Sequence, residues 1–346
     1  MASKVQKIQP ETVLMVGLDI GYGVVKAVTR QATVTFPSVC GHARDIKFQL
    51  EEISAKYTGD QITDDEGNWF VGDLAQSQLP PGELFRLRGR TANEATIGNV
   101  FRVRMAKVAL GKLLAGMRDG EAVHVRIATG LPVDHMRDAA ELKNALMGQH
   151  FIKSSAAEVV VNVAEVMVMP QPYGTIYANT LTASGEVNPC HNVVRTGVCD
   201  VGTYTVDLAL DDDGEYVDAQ SGSVESGVYT AHERIAALLE RTYRQKMPFK
   251  SVEETLRTGC FRASGETVDY SADVREALEP LRSATLNLMS DKWKTGTTVD
   301  VIYLSGGGAS LVQDVVSAAY HQTQLVKDAQ IANARGYLHY ALFAGQ

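Results

Sequence analysis

Two triplets, Asp19-Ile20-Gly21 and Asp200-Val201-Gly202, each close an apolar run that reads as a buried strand and each open a short turn. A tight turn between antiparallel strands presents backbone N–H groups, and the missing Cβ of glycine lets polyphosphate oxygens approach them. Gly21, Tyr22 and Gly23 suit that task in the first turn, and Gly202, Thr203, Tyr204 and Thr205 in the second, so the two would close on phosphates from opposite sides of a cleft. Lys26, on the strand leaving the first turn, adds a point charge against terminal phosphates. Asp19 and Asp200 would hold Mg²⁺ through water, because this small cation keeps much of its hydration shell. Gln171, set between Pro170 and Pro172, is the candidate for orienting an attacking water. Gly306, Gly307 and Gly308 follow an apolar strand and precede a helix marked by Ser310, where a nucleoside could lie against bare backbone. Taken singly, each feature reads equally as an ordinary hairpin, a capping aspartate or a strand-to-helix loop. Their recurrence in matching context gives them weight.

The elements that must position these residues are legible in the pattern. Residues 13–20, 24–29 and 32–37 read as three strands of a meander, and 40–90 as short strands and polar turns with a hairpin at 64–68. Helical spacing runs over 99–115, followed by strands at 123–131 and 159–168, a break from Met169 to Pro172, and a short helix over 174–183. A second meander then repeats the opening, with strands at 192–201, 205–210 and 216–224. Helices at 229–246 and 272–294, a strand at 299–304 and helices from Leu311 and Gln330 complete the chain. At 346 residues, with strands and helices alternating twice, the expectation is an α/β protein of two duplicated domains.

Composition narrows the function. Thirty-three Lys and Arg against 41 Asp and Glu leave a net charge of −8, so direct nucleic-acid binding is not expected. One local basic run, Arg86, Arg88, Arg90, Arg102, Arg104 and Lys107, is a candidate interface. The four cysteines are scattered with no CxxC pair and no HExxH occurs, which argues against a zinc site or a disulfide framework and for a reducing, cytoplasmic setting. The opening residues carry only a short apolar stretch, so neither a signal segment nor a membrane partner is expected.

In order, GLDIGYGVVK, VMPQPYG, CDVGTYTVD, YLSGGGASLV and QIANARGYLHYA resemble the motifs of the actin-like ATPases, most closely the bacterial plasmid-segregation branch of ParM or StbA-like proteins and its archaeal relatives. The likeness runs from about Val13 onward and is supported by FPS at 36–38, WFVGDLA at 69–75, ATGLPVDH at 128–135 and NARGY at 333–337. It implies the ribonuclease H-like, actin-like fold: two domains, each a mixed five-stranded sheet with flanking helices, and a nucleotide in the cleft between them. The domains would span 1–184, with 329–346 returning to the first, and 185–328. By position, Asp19, Gly21, Gly23 and Lys26 resemble the first phosphate loop, Asp200, Gly202, Thr203 and Thr205 the second, and Gly306 to Gly308 the adenosine loop. Gln171 matches the water-orienting position, where the segregation proteins often carry Glu. Gly227 opens a helix on which Glu233 is a candidate for the base or ribose edge. The resemblance further implies ATP as substrate, with GTP admissible, Mg²⁺ as cofactor, homopolymeric filaments, and plasmid DNA reached through a DNA-binding adaptor. A small-molecule kinase or a non-polymerising ATPase of the same superfamily would share both phosphate loops, although no clear substrate-side Asp marks a kinase. An Hsp70-type chaperone would need a peptide-binding region after the ATPase.

Overall fold

The computed structural model describes residues 13–48, 55–87, 94–117 and 122–345. The chain opens with β1 (Leu14–Ile20), β2 (Val24–Val28) and β3 (Thr33–Pro37), an antiparallel meander as expected. Next come β4 (Cys40–His42), the hairpin β5 (Gln61–Asp64) and β6 (Gly67–Val71), α1 (Gly72–Gln78) and α2 (Glu94–Leu113). The first half is completed by β7 (Ala122–Leu131), α3 (Ala139–Leu146), β8 (Gly148–Ser154), β9 (Glu158–Pro170) and α4 (Tyr173–Thr180). In the second half come β10 (Arg195–Val201), β11 (Val206–Asp212), β12 (Glu215–Tyr216), β13 (Gly222–Val224), α5 (Val228–Tyr243) and α6 (Phe249–Thr258). These are followed by the hairpin β14 (Cys260–Ala263) and β15 (Glu266–Asp269), α7 (Ser271–Trp293), β16 (Val301–Ser305), α8 (Ala309–Ala319), β17 (Thr323–Leu325) and α9 (Ala332–Ala344).

Two sheets result. The first has nine strands in the order β3-β2-β1-β7-β9-β8-β5-β6-β4; the second follows β12-β11-β10-β16-β17, with β13 also pairing β11. Five strands of each share one plan: β1 is antiparallel to β2 and parallel to β7, as β10 is antiparallel to β11 and parallel to β16. The five-stranded plan is thus present twice. It grows to nine strands in the first sheet because the long β9 offers its far edge to β8, which in turn pairs with β5.

Alternation along β1 and β10 builds three layers. Val16 and Leu18 enter a core with Phe101, Met105 and Val108 of α2, while Cys199, Val201, Leu208 and Leu210 pack with α5, α7 and α8. The opposite faces meet each other through a third cluster of Ala128, Met169, Tyr173, Ile176, Val198, Ala209, Tyr337 and Ala341. Helices α4 and α9 therefore form a shared layer between the sheets. They approach closely enough that a Cβ on Gly336 would stand 1.6 Å from the Gly174 carbonyl oxygen, and one on Gly17 would stand 1.9 Å from that of Ala334. Only glycine permits backbones to meet at that range.

Several expectations are corrected. The strand expected at 216–224 is broken by a 3₁₀ turn at Asp218–Gln220, because the Ser221 hydroxyl donates to the Val217 carbonyl and accepts the Leu210 N–H in place of a ladder partner. The strand expected to stop at 168 runs to Pro170, which pairs with Leu131 at the strand end where proline costs least. The basic run is not one face. Arg104 is buried, paired with Asp64 and Glu66 and lying 3.7 Å from the Trp69 ring centre, Arg86 lies over Phe249, and Arg88 and Arg90 fall outside the described residues. Helices α1, α3 and α6 lacked a periodic signal long enough to announce them. Among the described residues no helix is long and apolar enough to cross a membrane.

Candidate functional site

The two duplicated hairpins set the site. β1 delivers Asp19 opposite Lys26 of β2, and β10 delivers Asp200 opposite Asp207 of β11, at the same register in each. Lys26 Nζ donates to Asp19 Oδ2 at 2.8 Å, and Gln171 Nε2 donates to Asp19 Oδ1 at 3.3 Å. The backbone of Gln171 is clamped from both sides: its N–H donates to the Leu131 carbonyl at 2.7 Å and its own carbonyl accepts the Tyr337 hydroxyl at 3.0 Å. Across the cleft Asn333 Nδ2 donates to Asp200 Oδ2 at 2.6 Å, while its carbonyl accepts the Thr175 hydroxyl at 2.7 Å. Asp207 accepts from the Thr205 hydroxyl at 2.7 Å, from the Ser223 hydroxyl, and from the Val133 N–H at 3.3 Å.

Three carboxylates, Asp19, Asp200 and Asp207, are each no more than 3% exposed, and Lys26 pairs with the first and acts on the second. Burial, reinforced by the negative charges of Asp207 and Asp19, pushes Asp200 up to about 7 against the opposing pull of Asn333 and Lys26. Burial also raises Asp207, against the donors from Ser223, Thr205 and Val133. Such a cluster favours a cation. Among the described residues no group of three or more His, Cys, Asp or Glu could hold a metal ion alone, so a bound ion would take further ligands from phosphate and water.

The structure brings Gly21, Tyr22, Gly23, Lys26, Gly202, Thr203, Tyr204 and Thr205 to one place. The loops meet directly: a Cβ on Gly23 would stand 2.3 Å from Thr203 Oγ1, and the Tyr22 and Tyr204 rings lie edge to face at 5.4 Å. The Gly202 N–H differs from the expectation of a free donor, since it closes its own turn on the Thr205 carbonyl at 2.8 Å. Gly227, at the start of α5, lies against the Thr203 carbonyl, and the Tyr229 N–H donates to that same oxygen.

The glycine loop after β16 also has internal reasons. A Cβ on Gly306 would stand 2.3 Å from Asp200 Oδ1, and one on Gly308 would meet Val228 and Val201, whereas one on exposed Gly307 would make only an ordinary contact, 3.9 Å from Gln330 Cγ. Gly308, not Ser310, stands before the first residue of α8, and Ser310 is exposed on its first turn. Glu233 is exposed on α5 beside His232.

From loop to loop a chain of rings crosses the mouth of the cleft. Tyr204 packs on Tyr229 at 4.7 Å, Tyr229 on His232 at 5.7 Å, His232 on Phe249 at 4.1 Å, and the Arg86 guanidinium of the first half lies 4.6 Å over Phe249 of the second. Sequence reasoning missed these contacts, and it missed Asp207, Asn333 and Tyr337. The register shared by the two hairpins is a signal for Asp207, which occupies the place that Lys26 holds in the first. Asn333 and Tyr337 lie four residues apart on one face of α9, a spacing visible in NARGY.

Two family models match this chain. Residues 17–174 match the N-terminal domain of the actin-like proteins, and residues 198–318 match the C-terminal domain of the archaeal actin homologue, MreB-like. The chain belongs to the actin-like superfamily. Among solved structures it is similar to a ParM protein in a 15-stranded filament from Clostridium botulinum, with 21% identity and a TM-score of 0.75 over 95% of this chain and 99% of that one. An archaeal actin homologue, Ta0583, matches with 19% identity and a TM-score of 0.75 over 95% of this chain and 99% of its own. The ADP complex of Ta0583 matches with 19% identity and a TM-score of 0.71 over 94% and 98%. No curated protein sequence matches.

Proposed function

We propose that this protein binds ATP with Mg²⁺ between its two domains, hydrolyses it, and assembles head to tail into filaments that move plasmid DNA through a separate DNA-binding adaptor. One observation carries the reading: two duplicated hairpins face each other with Asp19–Lys26 on one side and Asp200–Asp207 on the other at matching register. An excess of buried carboxylate over lysine suits a magnesium nucleotide. When bound, Mg²⁺ supplies charge neutralisation at the β- and γ-phosphates. Asp19 and Asp200 are placed to hold it through water, and Lys26 is placed to meet terminal phosphate oxygens.

The chain's own part in hydrolysis is positioning. Gln171, with its backbone clamped on both sides, directs a side-chain amide into the space beside Asp19 and orients the attacking water. The turns at 21–23 and 202–205 enclose the phosphates, and Gly307 offers open backbone to the nucleoside. Filament formation is supported by the likeness to a ParM that forms a 15-stranded filament, and nucleotide binding by the likeness to an archaeal homologue seen with ADP. A repeating, non-closing contact is the geometry a filament requires. The net charge of −8 favours an adaptor over direct DNA contact.

The test is sedimentation and light scattering in Mg-ATP, Mg-GTP, Mg-ADP and no nucleotide, with phosphate release recorded alongside. Pelleting that depends on ATP and decays as phosphate appears is expected. Phosphate release without assembly would replace this reading with a kinase or a non-polymerising ATPase.

A further inference from the structure

The segment Leu131–His135, between β7 and α3, touches three separate parts of the site. The Leu131 carbonyl accepts the Gln171 N–H at 2.7 Å. The Val133 N–H donates to Asp207 Oδ1 at 3.3 Å, and His135 Nδ1 lies 3.5 Å from the Tyr22 hydroxyl. Pro132 ends the strand in extended backbone, and Val133 begins a 3₁₀ turn at Val133–Asp138. The first N–H of a helical turn has no partner within the turn. Here it finds its acceptor in the other half of the molecule.

Asp207 receives three donors, and they differ in one respect. Thr205 and Ser223 belong to its own half and travel with it; Val133 belongs to the opposite half. The Val133–Asp207 hydrogen bond therefore exists only at one spacing of the two halves. Two residues before Val133, at Leu131, the same segment holds the backbone of Gln171.

We propose that Val133 and Asp207 form a closure sensor, in which the interdomain hydrogen bond couples the spacing of the domains around nucleotide to the placement of Gln171. Both act as positioning residues. This rests on the cleft being the nucleotide site, and it adds which contact makes that site responsive to closure.

Proline at 133 removes the donor while suiting the first position of a helical turn, and Pro132 already has the extended backbone that precedes proline. The experiment compares V133P with V133A, which keeps the N–H, and D207A with D207N, which keeps an acceptor and the side-chain shape. Equilibrium binding of a fluorescent ATP analogue and steady-state phosphate release are measured for each. Losing a hydrogen bond to a charged group lowers turnover by about tenfold, so V133A is expected to exceed V133P by about that factor. V133P and V133A should agree in nucleotide affinity within about twofold, because the Val133 N–H touches no phosphate. D207N should recover most of the turnover lost in D207A. Equal turnover in V133P and V133A overturns the inference, as does a D207N that recovers none of the turnover lost in D207A. Should V133P fail to fold, the D207A and D207N pair decides on the same criteria. If the wild-type chain binds no nucleotide, the reading of the cleft itself fails and the sensor with it.

Discussion

His232 packs between Tyr229 and Phe249 with Arg86 beyond, and burial, aided by the Arg86 charge, holds its pKa below the ordinary 6.5 despite the pull of the Phe249 carbonyl and Glu233. The unfolded chain therefore binds this proton more readily than the folded one. The stabilisation is fully present above about pH 6.5, the unfolded value, and is lost as pH falls from there through the lower folded value. Buried Asp200, raised to about 7, takes up its proton in the folded state over the same window and acts in the opposite direction, so the readout is a difference: between about pH 7.5 and 5.5 the Tm of the wild type should fall relative to that of H232Q. His191 and His339 are lowered by burial too and leave a residual shift in the variant. An identical shift in both proteins would remove His232 from the account. At this scale the sequence showed Asp19, Lys26 and Asp200 plainly, because glycine turns after apolar runs are local signals. Asn333 was invisible as a partner of Asp200 because nothing local connects a helix residue to a strand end in the other half.

Helix α9 shows what one element contributes when its face is made of small residues. Gly336 sits against Gly174 of α4, Ala334 against Gly17 of β1, and the Tyr337 hydroxyl against the Gln171 carbonyl. Gly336→Ala places a methyl carbon 1.6 Å from the Gly174 oxygen, so the helix must move. The expected loss is about 3 kcal/mol of stability by denaturant unfolding. It should come with reduced turnover, since Gln171 loses its clamp; a variant as stable as the wild type would show that α9 can shift freely. The meanders, α7 and β16 were legible because their period is sustained. The breaks were not: Ser221 divides a strand through a hydroxyl whose partners lie on another strand, and α1, α3 and α6 are helices of ten residues or fewer held by tertiary packing.

Over the whole molecule, the two halves meet at the base through the α4 and α9 layer and at the mouth through the rings that end in Phe249 and Arg86. On the proposed function, nucleotide entering or leaving parts the mouth while the base holds. Phe249→Ala removes the surface on which Arg86 and His232 both rest. The Arg86–Phe249 cation–π contact is the part that bridges the halves, and its contribution of about 1 kcal/mol sets the expected effect at about fivefold faster ADP release, read by stopped-flow chase of a fluorescent ADP. An unchanged release rate would place the opening motion elsewhere.

The dependence of the cleft on Asn333 and Tyr337 also sets an order of events while the chain is being made. Both sheets can begin to form as their strands emerge, yet Asp200 lacks its amide partner and Gln171 half its clamp until α9 follows. Until then Met169, Tyr173, Val198 and Ala209, which the finished molecule buries in a shared layer, stand open on two half-built faces. Competence to bind nucleotide should thus arrive late and in one step, and the nascent chain passes through an interval in which its stickiest surface is the one destined to join its two halves.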